Sequence, residues 1–308
     1  MRLMISPIRP LLNQANGKPS VQSQVKDTGK IEQASTDQYE SLARVLLKPV
    51  ASRGGVLAVL RHGLAIGPAR IWTSLAEHIR ETIGVAVDRF YDWWHGVDTC
   101  GFIWAKHLDS SGESGRFSNE YGPTPAKTFR FMLDTLPGDP ADYTFVDYGS
   151  GKGRTLFLAA ERPFRKIIGI ELAQSLVETA QQNIRSYRYG KMRCTDIETL
   201  AIDATEYDLP RDPCVIFMYS PFYGDVLERV FSHLAASYRA APRPLIFVYL
   251  EEIDTDVIPH AQFESMGFLK RLDVPELPND WSAPWPVEYA VYASPEALPG
   301  DGTQLTEN

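Results

Sequence analysis

Thr144-Phe145-Val146-Asp147-Tyr148-Gly149-Ser150-Gly151-Lys152-Gly153-Arg154 runs from a short apolar strand, Phe145 to Tyr148, straight into a glycine-dense loop. A helical run comes next, Thr155 to Ala160, and Pro163 stops it. Strand, glycine loop and helix make a nucleotide-binding crossover, where glycine lets the backbone approach a ligand at the helix N-terminus. A phosphate-binding P-loop needs Gly-Lys-Ser/Thr, and here Gly153 follows Lys152, so that reading fails. A dinucleotide fingerprint wants a third glycine where Arg154 stands. A structural turn without a ligand has to account for three alternating glycines.

Gly-x-Gly-x-Gly after an acid-ended strand fits a third ligand, S-adenosylmethionine (SAM), which has no phosphates to cradle. Val146 to Arg154 resembles motif I of the class I (seven-strand, Rossmann-like) SAM-dependent methyltransferases, and the resemblance extends over roughly residues 120–295. It implies a doubly wound α/β fold, a mostly parallel seven-stranded sheet with an antiparallel last strand. It also implies SAM as cofactor, with Asp147, Gly149, Gly151 and Gly153 around it.

Lys166 to Glu171 reads as the second buried strand, with an acid at its C-terminal end. An ionised carboxylate there accepts both ribose hydroxyls, and Glu171 lies 22 residues past Gly149, the separation this role requires. A helix from Ala173 to about Tyr187 comes after it. Thr199 to Ala204 reads as the third strand. In the family an acid here accepts from the adenine amine. Asp203 is favoured over Asp196 because Tyr207-x-Leu-Pro210 and then the fourth strand come directly after Asp203-Ala204, the usual order. Upstream, Thr124 as N-cap with Pro125 at the first helical position starts a helix from Ala126 to about Leu136. The family folds a segment at this place over the cofactor's methionine end, so Tyr121 and Thr124 are candidate cofactor contacts beside the plain capping role.

Cys214 to Gly224 is the fourth strand with its outgoing loop, where methyl acceptors sit in the family. Ser220-Pro221-Phe222 is similar to the Asn/Asp/Ser-Pro-Pro-Tyr/Phe loop of amino-methyltransferases but has one proline. Tyr121-Gly122 and the Phe-Val-Asp-x-Gly-Ser-Gly motif resemble telomeric-silencing-disruptor-type lysine methyltransferases. Tyr219-Ser220-Pro221 stands where those have Asn-Asn-Phe. Tyr219, Ser220, Phe222 and Tyr223 are the candidate catalytic wall. The function expected is methyl transfer to a nitrogen or oxygen of a protein or small molecule. The alternatives are a SAM-binding regulatory protein without turnover and a nucleic-acid amino-methyltransferase.

The sheet is expected to continue through Pro244 to Leu250 and to close with an antiparallel pair, Phe268–Val274 and Val287–Ala293. A helix from Asp225 to about Tyr238 and another from Pro259 to Gly267 cover it. The full division is an arm over 1–40, a helical extension over 41–119 with a short helix at Ser41–Leu47 and a break at Arg53–Gly55, the methyltransferase domain over 120–295 and a tail over 296–308. In the extension Trp72, Leu75, Ile79, Ile83, Val87, Phe90 and Trp94 recur at steps of three and four, which predicts a helix packing that face on the domain, with membrane docking as the lesser alternative. The dense aromatic run from Phe90 to Trp94 predicts a core plug or a pocket wall.

Net charge is −8, with residues 1–76 at +6 and the rest at −14. So acidic a catalytic region points away from a phosphate backbone and toward a cationic or neutral acceptor. Arg185, Arg188, Lys191 and Arg193 with Tyr187 and Tyr189 form one basic run. It is read first as complementing a helix C-terminus and second as a nucleic-acid patch. Cys100, Cys194 and Cys214 lack metal-ligand spacing, so reduced thiols and no metal are expected. No apolar stretch reaches the roughly 20 residues of a membrane span, and no secretory signal is seen, so a cytoplasmic location is expected.

Overall fold

The computed structural model describes residues 68–110, 112–188, 190–253, 258–280, 283 and 286–298. The arm expected over 1–40, the short helix at Ser41–Leu47, the break at Arg53–Gly55 and the chain from 299 onward lie outside the described residues.

The strands are β1 (Thr144–Tyr148), β2 (Lys166–Glu171), β3 (Ile197–Ala201), β4 (Cys214–Tyr219), β5 (Leu245–Glu252), β6 (Lys270–Arg271) and β7 (Val287–Ala293). The helices are α1 (Pro68–His95), α2 (Ala126–Asp134), α3 (Arg154–Ala160), α4 (Gln174–Ser186), α5 (Gly224–Ala240) and α6 (His260–Ser265). The sheet order is β3-β2-β1-β4-β5-β7-β6, with β1 to β5 parallel, β7 antiparallel to β5 and β6 antiparallel to β7. The expected doubly wound, mostly parallel sheet is therefore present.

β1, β4 and β5 read as near-continuous apolar runs because both faces of the sheet are covered. Alternation sorts their side chains. Val146, Tyr148, Ile216, Met218, Phe247 and Tyr249 pack with Val226, Val230, Phe231 and Leu234 of α5 and Phe263 of α6. Phe145, Val215, Phe217, Ile246 and Val248 pack with Phe129 and Met132 of α2 and Leu156 and Leu158 of α3. Phe129 meets Phe217 edge-on at 5.0 Å. Strand order reverses between β1 and β4, which opens a crevice at their carboxyl ends.

Several expectations need correction. α1 forms, but Ile79, Ile83, Val87, Phe90 and Trp94 do not pack on the domain, and their exposure runs from 40% at Ile83 to 48% at Trp94. The side chains of Trp72 and Leu75 lie outside the described residues. The opposite side of the helix faces the domain instead, because Asp88 and Asp92 pair there with the buried Arg154. A buried charge must be paired, and that constraint sets the helix's rotation. Thr124 does not cap α2. Pro125 holds the N-cap position without a side-chain bond, and Thr124 is buried. The helix stops at Asp134, where the Thr135 hydroxyl donates to the Met132 carbonyl. The expected strand Phe268–Val274 shrinks to Lys270–Arg271, since only these residues pair with β7 as a ladder. Among the described residues no helix is long and apolar enough to cross a membrane.

Candidate functional site

The glycine loop lies at the carboxyl end of β1. The Gly149 and Ser150 N–H groups both donate to the Ile170 carbonyl at 2.8 and 3.0 Å, so the loop is pinned to β2. Two of its glycines are required by close approach. Gly149 has φ +89°, and a Cβ there would lie 2.4 Å from Pro221 of the loop after β4. Gly151 has φ +53°, and its Cβ would lie 2.3 Å from the Tyr121 ring. Gly153, at φ +85°, is the N-cap of α3.

A cavity of about 640 Å³ opens over this loop. Of the residues expected from sequence, Tyr121, Thr124, Asp147, Gly149, Glu171, Asp203, Tyr219, Ser220 and Phe222 line it. Gly151 and Gly153 sit behind it, Gly151 screened by Tyr121. Tyr223 lies outside the cavity. It is 45% exposed and its hydroxyl donates to the Arg116 carbonyl at 3.1 Å. The helix start at Gly224 turns that side chain away from the site.

Glu171 ends β2 as expected. Its carboxylate accepts from the Ala173 N–H at 2.9 Å and the Gly151 N–H at 3.0 Å, which fixes its orientation and leaves lone pairs for a ligand. Burial raises its pKa and outweighs these N–H donors, which work to lower it. Asp203 lies just past β3 and lines the cavity, while Asp196 does not. Burial works to raise the Asp203 pKa, but hydrogen bonds from Ser114 and Thr205 outweigh it and hold the carboxyl below its usual range. Asp147 is wholly buried, accepts from the Thr155 hydroxyl, and is pushed up to about 7 by that burial.

The segment from Thr99 to Tyr121 closes over the loop, and no local motif announces that role. Ile103 bridges Tyr121, Ser118 bridges Phe222, and the Tyr121 hydroxyl donates to the Thr99 carbonyl at 2.5 Å. Asn119 Nδ2 donates to the Ser220 carbonyl at 2.6 Å. Ser220 has φ +36°, the one positive φ among the described non-glycine residues, so this loop is held in a strained conformation. Two further site residues escaped the sequence reading, Glu251 and Glu252 at the carboxyl end of β5. The rule that parallel sheets bind ligands at strand carboxyl ends was the available signal. The Tyr219 hydroxyl donates to Glu252 at 3.2 Å. Burial raises the Glu252 pKa, and nearby Glu120 and Glu251 add to it.

Arg154 joins the site to α1. Its guanidinium pairs with Asp88, reaches Asp92 at 3.5 Å and donates to Thr99 Oγ1 at 2.8 Å. Asp92 in turn accepts from the Thr99 N–H at 2.7 Å and the Cys100 N–H at 2.6 Å. Asp92, Asp98 and Cys100 are the one metal-like grouping among the described residues. Their carboxylates already serve Arg154 and Lys152, and burial pushes the Cys100 thiol up to about 12.

The donor set fits SAM. Seven carboxylates and two guanidiniums line the cavity, with no lysine, which disfavours a phosphate-bearing cofactor and suits a cationic sulfonium. The Ser150 hydroxyl is buried without a hydrogen-bond partner, packed against Gly169 of β2. If Glu171 holds the ribose, Glu171→Ala removes a charged acceptor. S-adenosylhomocysteine should then bind about 10- to 100-fold more weakly, or roughly 1.5–3 kcal/mol. A calorimetric change below about twofold would assign the ribose to another acid.

Residues 140–240 match a family model described as a methyltransferase domain. Among solved structures, the chain is similar to a SAM-dependent methyltransferase from Aquifex aeolicus, at 15% identity over 56% of this chain and 94% of that one, TM-score 0.39. It is similar to the magnesium protoporphyrin IX methyltransferase ChlM from Synechocystis PCC 6803 with bound SAM, at 16% identity over 54% and 74%, TM-score 0.38. It is also similar to the 23S rRNA methyltransferase ErmE, at 15% identity over 55% and 65%, TM-score 0.36. The chain spans less than two thirds of ErmE and 48% of the StiE O-MT segment it also matches. No curated protein matches it by sequence. Likeness at these levels carries no argument about the acceptor.

Proposed function

We propose that this SAM-dependent methyltransferase moves the methyl group to a nitrogen or oxygen of a cationic or neutral acceptor, on a protein or a small molecule. The observation that carries the reading is the acid-rich end of the cavity. Glu120, Glu251 and Glu252 gather beside Tyr219 and Ser220, and Arg89 and Arg154 line the same cavity. A phosphate backbone meets repulsion there, whereas an amine is drawn in.

SAM, when bound, supplies a methyl group on a cationic sulfur, already a good leaving group. The protein's part is orientation, worth up to about 7–11 kcal/mol where reacting atoms are held in line. Glu171 is assigned the ribose and Asp203 the adenine amine, which leaves the methyl end toward the loop after β4. Tyr219, Ser220 and Phe222 then wall the acceptor. Asn119 donates to the Ser220 carbonyl and so fixes the loop that walls the acceptor. An arriving ammonium is attracted by the carboxylates and must pass its proton to water or to the Glu252 carboxylate before attack, a loss that desolvation among the surrounding aromatic rings favours. The partial resemblance to lysine methyltransferases points the same way.

Radiolabelled methyl transfer from SAM into a cell lysate, fractionated into protein, RNA, DNA and metabolites, tests the reading. Label in protein or metabolites supports it, and label confined to nucleic acid overturns it. A second expectation concerns residues 1–40. Their removal should leave SAM affinity and methylation nearly unchanged, because the cavity is built from residues 85–252. The truncated chain should show no steep salt dependence toward duplex DNA, where each phosphate contact contributes a log–log slope of roughly −0.9. Tight binding with a slope of several contacts would contradict the acceptor assignment.

A further inference from the structure

Two large aromatic rings stay half-exposed on a segment whose backbone is fixed. Phe102 is 45% exposed and Trp104 48%, yet both line the cavity over the glycine loop. Between them the Ile103 N–H donates to the Tyr121 carbonyl at 2.9 Å, and the Tyr121 N–H returns the bond to the Ile103 carbonyl at 2.9 Å. Ile103 packs with Tyr121, Ala173 and Leu176. Alternation along the extended backbone sends Phe102 and Trp104 to the other side. The two rings meet edge-on at 4.9 Å and 84°.

The same pairing decides what stands beside them. With Ile103 opposite Tyr121, antiparallel register puts Phe102 opposite Gly122 and Trp104 opposite Glu120. The first match is seen directly, since a Cβ on Gly122 would lie 3.8 Å from the Phe102 ring. Glu120 is exposed, lines the cavity and helps to raise the pKa of Glu252. Trp104 is thereby joined through Glu120 to the acid-rich end of the cavity. Lys106 and His107, close by in the chain, do not line it.

We propose that Phe102, Trp104 and Glu120 recognise an alkyl ammonium, so that the methyl acceptor is an alkylamine. This rests on reading the cavity as a methyltransferase site and narrows its acceptor. An aromatic face attracts a cation through its quadrupole, Trp most strongly, and a neighbouring carboxylate adds charge attraction. Two rings at 84° form a corner, which suits a rounded ammonium and gives a planar ring no flat slot to enter. A neutral alcohol gains only contact area there. Arg89 and Arg154 also line the cavity, but seven carboxylates against two guanidiniums leave its charge negative.

Nuclear magnetic resonance tests it, on the full-length chain labelled with nitrogen-15 at the tryptophan indoles and saturated with S-adenosylhomocysteine. The probes at neutral pH are n-butylammonium, its neutral isostere 1-butanol, and p-cresol. Butylammonium should shift the Trp104 signal, identified by its loss in Trp104→Leu, and should bind at least about fivefold more tightly than 1-butanol. Trp104→Leu and Glu120→Gln should each weaken butylammonium by about two- to fivefold, with S-adenosylhomocysteine affinity unchanged. Equal binding of butylammonium and 1-butanol, or none, would overturn the proposal. Tighter binding of p-cresol would do so as well, as the mark of a stacking site for a planar acceptor. Butylammonium binding that neither variant weakens would also contradict it. In each of these cases retained S-adenosylhomocysteine affinity keeps the methyltransferase reading. Failure of S-adenosylhomocysteine to bind the wild-type chain would sink that reading and the amine assignment with it.

Discussion

Gly151→Val is expected to abolish SAM binding, a loss of more than about two decades in affinity or roughly 2.7 kcal/mol. Two causes act together. The backbone at φ +53° is one that β-branched residues rarely adopt, and the first added carbon would lie 2.3 Å from the Tyr121 ring. Tyr121 cannot yield easily, because its hydroxyl is bonded to the Thr99 carbonyl and its ring is buried. The displaced ring would enter the cavity it lines. Loop geometry and cofactor space are thus lost by one substitution, while the sheet, which Gly151 meets through its N–H bond to the Glu171 carboxylate at the end of β2, should stay folded. Calorimetry with S-adenosylhomocysteine checks the loss, and circular dichroism checks the fold. Unchanged affinity would sink the assignment of the loop.

The second large effect concerns Arg154, which is 2% exposed. Removing one partner of a buried ion pair typically costs about 3–5 kcal/mol, since the remaining charge stays desolvated. Here two carboxylates depend on one guanidinium. Burial is the larger influence on Asp88 and raises its pKa even with Arg154 beside it. Arg154→Met should therefore lower stability by an amount in that range in urea unfolding, and Asp88→Asn added to it should recover part of the loss. A loss under about 1 kcal/mol would show that α1 is not held by this network.

The glycine loop and Glu171 were legible because their constraints are local. A positive φ, a close approach and a strand-terminal acid all leave their mark within a few residues. The orientation of α1 was not legible. Periodicity identifies a stripe, but Asp88 and Asp92 reverse which side packs, and their partner Arg154 is more than 60 residues away. Thr124 before Pro125 matched a helix start one residue too early, since the threonine is buried in the cavity wall rather than capping. Tyr223 looked like part of the acceptor wall by adjacency to Phe222. The turn into α5 sends neighbouring side chains to opposite sides, one buried and one exposed. The acid-rich end of the cavity joins Glu120 to Glu251 and Glu252, a grouping that only the folded chain reveals.

The central claim is that one cavity over the glycine loop holds SAM with its methyl end toward the loop after β4. A crystal structure with S-adenosylhomocysteine tests this most directly. The ribose hydroxyls should lie on Glu171, the adenine amine should reach toward Asp203, and the sulfur should face Tyr219, Ser220 and Phe222. A ligand bound outside this cavity, or inside it with the sulfur turned away from Ser220, would contradict the account.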